Sequence, residues 1–321
     1  MNFTLKQLRY VEAAGRLGSI ARAAEEMAIS QSSITAAIDA LEHSLDYDLF
    51  VRTPAKGIHA TPPGLEALQM IRGFLNHSRH FEADLQSVGG DETGVVRIGC
   101  YGTAAPAFLP EILRAMKDRR PNITVDVLEG DMSSVVDFLR DGKADLSFTY
   151  EMGLDSGQQF EPLFNAPPYA LISTDDPMSE LPGVTYAQLS RKTMVMLDLP
   201  YARDYFSTLF SRRGLSPTVG HATRSADFAR ALVAGGFGYT ILNIRPPEFD
   251  GDKSAYRALP ILDETEAPIF GIATMRQTRQ PRTVRAFIRT CIELRDAGAF
   301  DPLIVSAAPV SSAKKNINSP H

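Results

Sequence analysis

The chain has 321 residues, 44% of them hydrophobic and 22% charged, with a net charge of −5. That length suggests two or three compact units rather than one small core. The sequence contains no run of 18 or more apolar residues, which excludes a membrane-spanning helix. The two cysteines, Cys100 and Cys291, lie far apart and outside any CxxC, which excludes a disulfide framework and a cysteine zinc site.

Met1 to Lys6 has no apolar core of the signal-peptide kind, so a cytoplasmic location is the expectation. Thr4 and Gln7 then form a capping box for a first helix whose buried face is Leu5, Leu8, Val11, Ala13 and Ala14. Gly18 stops it. Ser19 caps a second helix through Ala21, Ala23, Ala24 and Met27, where the alanines allow two helices to approach closely. Ser30 caps a third, from Gln31 to His43, with Ile34, Ile38 and Leu41 on one face.

The other face of the third helix carries Gln31, Ser32, Ser33, Thr35, Ala36 and Asp39. Short polar side chains near a helix N-terminus suit entry into a DNA major groove, with Ser30 at the helix end facing a phosphate. On periodicity alone, a small helical bundle with a solvated face fits equally well. The next segment, Leu49 to Thr61, has the form of a hairpin wing turned by Pro54 and Gly57. Arg52, Lys56 and His59 face outward as phosphate contacts.

Taken together, Leu5, Leu8, Gly18-Ser19, Ala23-Ala24, Met27, Ile29-Ser30-Gln31, Ile34-Thr35, Ile38, Leu41-Glu42, Leu45, Leu49-Phe50, Arg52, Thr61 and Gly64 resemble the winged helix-turn-helix of LysR-type transcriptional regulators. The resemblance covers the whole N-terminal domain, residues 1–62. It implies sequence-specific binding to double-stranded DNA. Two positions depart from the family: Ala36 stands where an Arg is usual, and Asp46 where a Gly is usual. Asp tolerates the left-handed conformation at modest cost. Residues 1–60 carry six basic and seven acidic side chains, a net of −1. Phosphate neutralisation normally calls for a basic field, so modest affinity per domain and dependence on paired domains are expected.

Residues 63–90 read as one linker helix, started by Thr61-Pro62 and ended by Gly89-Gly90. Ala67, Ile71, Phe74, Ser78, Phe81, Leu85 and Val88 recur at heptad spacing. That is either a two-helix seam or a stripe packed on its own chain. The resemblance favours the seam, with Ile71, Phe74, Phe81 and Leu85 holding a homodimer or homotetramer on a two-fold promoter site.

From Gly94 onward strands and helices alternate. Gly94–Gly99, Ile123–Leu128 and Ala144–Tyr150 are strands, with helices at Pro106–Arg119 and Ser133–Arg140, which is a βαβαβ unit with a parallel sheet. A similar alternation resumes from Thr193, and a last helix begins at Pro281. With crossovers near 160–170 and 264–274, residues 91–303 resemble the family's two-lobed, periplasmic-binding-protein-like α/β effector domain. Residues 304–321, rich in Ser, Ala, Pro and Asn, read as a disordered tail.

Ligands of open α/β sheets sit beyond the strand carboxyl ends. That rule selects Tyr101, Gly102 and Thr103 at one corner and Ser133 at a second, where Met132 replaces the family's usual hydroxyl. In the second lobe it selects Tyr201, Arg203, Ser225 and Asn243. Arg203 is suited to pair with a carboxylate, so a small anion is the expected effector. Cys100, beside the first corner, reads as a small buried residue or a thiol sensor.

No HExxH, GxSxG, P-loop or GxGxxG is present, and the histidines are scattered, so neither catalysis nor a metal or cofactor is expected. The competing reading is an α/β solute-binding or catalytic protein with an accessory helical domain.

Overall fold

The structure is a computed structural model that describes residues 3–53, 57–86, 92–246, 255–276 and 280–307. The chain divides into two units, with the break near residue 90.

The first unit opens with α1 (Leu5–Leu17), α2 (Ile20–Glu26) and α3 (Gln31–Leu45). Their starts are set locally. Thr4 and Gln7 complete the capping box, and the Ser19 and Ser30 hydroxyls accept the N–H groups of Arg22 and Ser33 at 3.3 Å each. Gly18 and Asp46 end α1 and α3 in the left-handed conformation, at φ 62° and 59°. The core joins Leu8, Val11, Ala14, Ala23, Ile34 and Ile38. Leu5, expected inside, is 40% exposed, and Phe3, just before the helix, packs against this core instead.

A hairpin of β1 (Phe50–Thr53) and β2 (Gly57–Ala60) follows, paired from Phe50 with Ala60 to Thr53 with Gly57. The Glu42 carboxylate ties α3 to it by accepting the N–H groups of Leu49 at 2.7 Å and Phe50 at 3.0 Å. α4 (Pro62–Gln86) leaves the hairpin at once. Thr61 donates its hydroxyl to the Asp48 carbonyl and accepts the Gly64 N–H at 3.0 Å. Gly64 is required there, since a Cβ would stand 2.0 Å from the Leu49 carbonyl oxygen. The expected end of this helix at Gly89-Gly90, and Val88 with it, lies outside the described residues.

The second unit begins with β3 (Gly94–Tyr101), α5 (Ala105–Arg119), β4 (Ile123–Gly130), α6 (Met132–Arg140) and β5 (Leu146–Tyr150). β3 pairs in parallel with both β4 and β5, as a βαβαβ unit requires. β6 (Gln158–Asn165) completes the first lobe, after which the chain passes to the second. There follow β7 (Tyr169–Ser173), α7 (Tyr186–Leu189), β8 (Thr193–Leu197), α8 (Ala202–Ser211), β9 (Thr218–Thr223), α9 (Ala226–Ala234), β10 (Thr240–Leu242) and β11 (Tyr256–Pro260). The return strand β12 (Ile269–Met275) inserts antiparallel between β5 and β6, and α10 (Arg282–Asp296) closes the fold.

The first lobe is a five-stranded sheet in the order β4-β3-β5-β12-β6. The second combines β10-β7-β11 with the parallel pair β8-β9. The two crossings meet where the Ala166 N–H donates to the Pro268 carbonyl at 2.8 Å. Val305 is buried, so packing continues two residues past the point where the tail was expected; residues 308–321 lie outside the described set.

Candidate nucleic-acid interface and effector cleft

The exposed face of α3 carries Gln31, Ser32, Ser33, Ala36 and Asp39, with Thr35 half-buried at its edge. At its N-terminus the Ser30 hydroxyl lies 2.8 Å from that of Ser32 and 2.9 Å from that of Ser33. This end therefore presents a cluster of three exposed hydroxyls beside the first N–H groups of the helix, a combination suited to phosphate and base edges. Arg52, expected to face outward alone, is instead hydrogen-bonded to Asp39 on α3. With the side chains 49% and 55% exposed, the pair is weak, but Arg52 must leave Asp39 to meet a phosphate. Lys56 lies outside the described residues. Arg16 is engaged by Glu12 and Glu26, and Arg9 lies 3.7 Å from Glu82, so several of the unit's cations are neutralised locally.

The apolar stripe of α4 divides in two. Ala67 and Ile71 are buried in the chain's own winged-helix core, whereas Phe74, Phe81 and Leu85 are more than half exposed. Periodicity locates an apolar face but not what covers it. The first turns of α4 pack beside α1, and only the later turns offer apolar surface outward. Met70, 74% exposed, extends that surface one turn back.

In the second unit, β3 runs two residues further than expected and delivers Tyr101 to the sheet's carboxyl edge. Tyr101 and Thr103, with Met132 from α6, meet Tyr201, Tyr205 and Asn243 of the second lobe around a cavity of about 30 Å³. That is room for a water or two. Tyr150 also lines it, with its ring 5.9 Å edge-on from that of Tyr101. The Asn243 amide donates to the Ala166 carbonyl at 2.8 Å and lies 3.1 Å from the Tyr205 hydroxyl, which fixes the floor to the crossover.

Tyr201 holds φ 64° and ψ −34°, a conformation unfavourable for a bulky side chain. Its ring covers Gly153, which itself has φ 91°. The ring, 45% exposed, thus reaches from the second lobe to the first across the cleft.

Thr103, Gly102 and Ser225 line a second cavity, of about 380 Å³, at one mouth of the cleft. Here Asp131 caps α6: its carboxylate accepts the N–H of Ser134 at 2.9 Å and the hydroxyl at 2.8 Å, while Ser133, the expected effector contact, lines neither this cavity nor the central one. Burial opposes the charge on Asp131 and is the largest single influence. The two Ser134 bonds, Arg224 and the Ser133 N–H together outweigh it and hold the carboxyl below its ordinary range. Arg224 of the second lobe approaches Asp131 at 3.6 Å.

Arg203, on which the anion expectation rested, lines none of these cavities and is bonded to Asp198 at 2.5 Å. Cys100 is fully buried, and burial, with Glu129 second, pushes its thiol far up, so it supplies no thiolate.

The sequence reading located the corners that hold Asp131 and Arg224 but chose their neighbours Ser133 and Ser225, and it missed Tyr150 and Tyr205. The Asp131-x-x-Ser134 spacing is a cap signal, and Tyr205 stands one turn after Tyr201 on the same helix face. Tyr150 ends a strand that is buried throughout and reads as core.

Comparison with known proteins bears on both units. Residues 5–65 match the model of the bacterial regulatory helix-turn-helix protein, lysR family, and residues 89–295 match that of the LysR substrate binding domain. The chain is 25% identical over 294 residues to the HTH-type transcriptional regulator CysB of Burkholderia cenocepacia, covering 90% of this chain and 92% of that protein. It is similar to the crystal structure of HinK, a LysR family transcriptional regulator from Pseudomonas aeruginosa, at TM-score 0.61 and 27% identity, over 92% of this chain and 99% of that one. A full-length OxyR variant from the same organism shares the fold at TM-score 0.72 and 20% identity, over 91% of this chain and 95% of that one.

Proposed function

The chain belongs to the LysR family of DNA-binding, effector-modulated transcriptional regulators, and on that premise we propose that it acts as a homodimer, or a dimer of dimers, on a two-fold promoter site. The α3 surface from Ser30 through Ala36 enters the major groove, and Arg52 and Lys56 of the wing take phosphates. Two N-terminal domains are joined through Phe74, Phe81 and Leu85 of α4. A small molecule between the lobes, touching Tyr101, Thr103, Tyr201 and Asn243, changes DNA affinity by favouring one lobe arrangement over another. Binding to the bacterial chromosome implies action in the cytoplasm.

The observation that carries this reading is the exposed apolar stripe on α4. Phe74, Phe81 and Leu85 lie at 54%, 64% and 56% exposure, a surface a lone helix leaves costly in water. The paired domains it implies also answer the net charge of −1 over residues 1–60, since two weak half-site contacts multiply.

Analytical ultracentrifugation of Phe74→Glu/Phe81→Glu tests the pairing. The expected species is a folded monomer with weakened binding to a two-fold site and unchanged binding to a half-site. A variant that stays dimeric shows that the stripe is not the seam.

A further inference from the structure

Three surfaces of the cleft carry charge and aromatic groups that bear on what it binds. The central cavity presents Tyr101, Tyr150, Tyr201, Tyr205 and Phe206, and none of its lining residues is charged. Burial keeps the phenols of Tyr101, Tyr150 and Tyr205 protonated, so they offer neutral π-faces.

On one side the cavity opens past Tyr101 and Thr103 to a mouth holding Glu129, Asp131 and Asp227 against Arg224 and Arg230. On the other it opens past Tyr201 and Tyr205 to a space of about 900 Å³ holding Glu151, Asp204, Glu264 and Glu266 against Arg212 and Arg213. Both mouths are therefore net acidic, and acidic clefts with low-dielectric walls concentrate cations and repel anions.

The corner that would otherwise receive an anion is already filled. The Asp131 carboxylate occupies the N-terminus of α6 and takes the Ser134 N–H itself. Of the arginines at the two mouths, Arg230 is bonded to Asp227 at 2.7 Å and Arg213 to the Glu264 carbonyl and the Tyr186 ring, while Arg224, 70% exposed, stands 3.6 Å from Asp131 in a loose pair that a ligand ammonium can displace. A ligand carboxylate at this corner would meet the like charges of Asp131 and Glu129.

Building on the cleft reading, we propose that the effector is an organic cation, an ammonium carried on a small apolar body, held by the tyrosine faces with Asp131 as its counter-ion. A tyrosine-lined cavity beside a carboxylate is the environment that favours an ammonium through cation–π attraction and direct pairing. Binding parts the Tyr201 ring from Gly153 to admit the body, which links occupancy to the lobe arrangement.

Three probes of one shape test the charge: 2-phenylethylammonium, 2-phenylethanol and 3-phenylpropionate, titrated calorimetrically into the full-length protein at neutral pH and low salt. The expected order of affinity is cation, alcohol, anion, with the cation weakened by added salt. Asp131→Asn keeps the helix cap, and should weaken the cation by roughly tenfold or more, the size of one charge-assisted contact, while leaving the alcohol unchanged.

Anion binding equal to or tighter than the cation, or cation binding indifferent to Asp131→Asn, overturns the proposal. So does the absence of cation binding. Thr103→Trp, which fills the cavity from a half-buried position, separates this failure from that of the cleft itself. An anion or alcohol that binds wild type and is lost in Thr103→Trp leaves the cleft standing and removes only the cation. A ligand retained in Thr103→Trp removes both.

Discussion

Replacing Asp39 by Asn should tighten DNA binding. Asp39 lies on the exposed face of α3 and holds Arg52 of the wing, with both side chains about half exposed. An exposed pair of this kind is worth about 0.5 kcal/mol, and wild type must give that up before Arg52 reaches a phosphate. The carboxylate also faces the duplex. Removing one like charge at about one Debye length saves up to about 0.5 kcal/mol more. The sum is about 1 kcal/mol per domain and about 2 kcal/mol for a pair of domains, or roughly 30-fold in affinity.

Neither contribution reads a base, so specific and non-specific duplexes should tighten alike in fluorescence anisotropy, and Arg52→Gln should weaken both. Contrary evidence would be Asp39→Asn weakening the specific site while sparing the non-specific one. That pattern would make Asp39 a base-reading carboxylate, such as one accepting from a cytosine amino group, and the account of a self-restrained wing would be wrong.

Three further outcomes follow from named contacts. Glu42→Ala leaves the Leu49 and Phe50 N–H groups without their acceptor and should cost about 2–3 kcal/mol in urea unfolding of the N-terminal unit; a loss below about 0.5 kcal/mol would show the tie to be redundant. Gly64→Ala drives a Cβ to 2.0 Å from the Leu49 oxygen and should abolish stable expression or cost at least as much as the Glu42 change, read by the same melt. Asp131 has a lowered carboxyl pKa, so its stabilising contribution is complete above the unfolded value near about 3.9 and is lost as pH falls through the lower folded value. Asp131→Asn should therefore flatten the acid limb of the melting-temperature profile and leave the shape between pH about 5 and 8 unchanged; an equally steep acid limb would mean that other carboxylates dominate it.

Features fixed by three or four neighbouring residues were legible in the sequence. The caps at Thr4, Ser19 and Ser30 follow from local spacing, the left-handed Asp46 from the glycine usual at that position in the family, and the parallel βαβαβ order from the alternation of strand and helix patterns. Features set by what packs against an element were not. Ile71 falls in the same heptad stripe as Phe74, yet the fold buries it against the chain's own core. Arg52 and Asp39 stand thirteen residues apart and meet only because the hairpin folds back beside α3. Arg203 fits carboxylate recognition in isolation, but Asp198 at the end of β8 already takes its guanidinium. At the α6 corner Ser133 was read as an effector contact, whereas the group that caps the helix there is the Asp131 carboxylate, which gives that corner of the cleft a negative charge.

The central claim is that this chain reads discrete two-fold DNA sites through α3 in response to a small molecule in the cleft. Crosslinking the protein to the chromosome in living cells and sequencing the bound DNA tests it most directly. The account predicts sharp occupancy at promoters sharing a two-fold motif, lost in Ser33→Glu and redistributed in Thr103→Trp. Occupancy spread evenly along the chromosome, or sharp sites that survive Ser33→Glu, would contradict it.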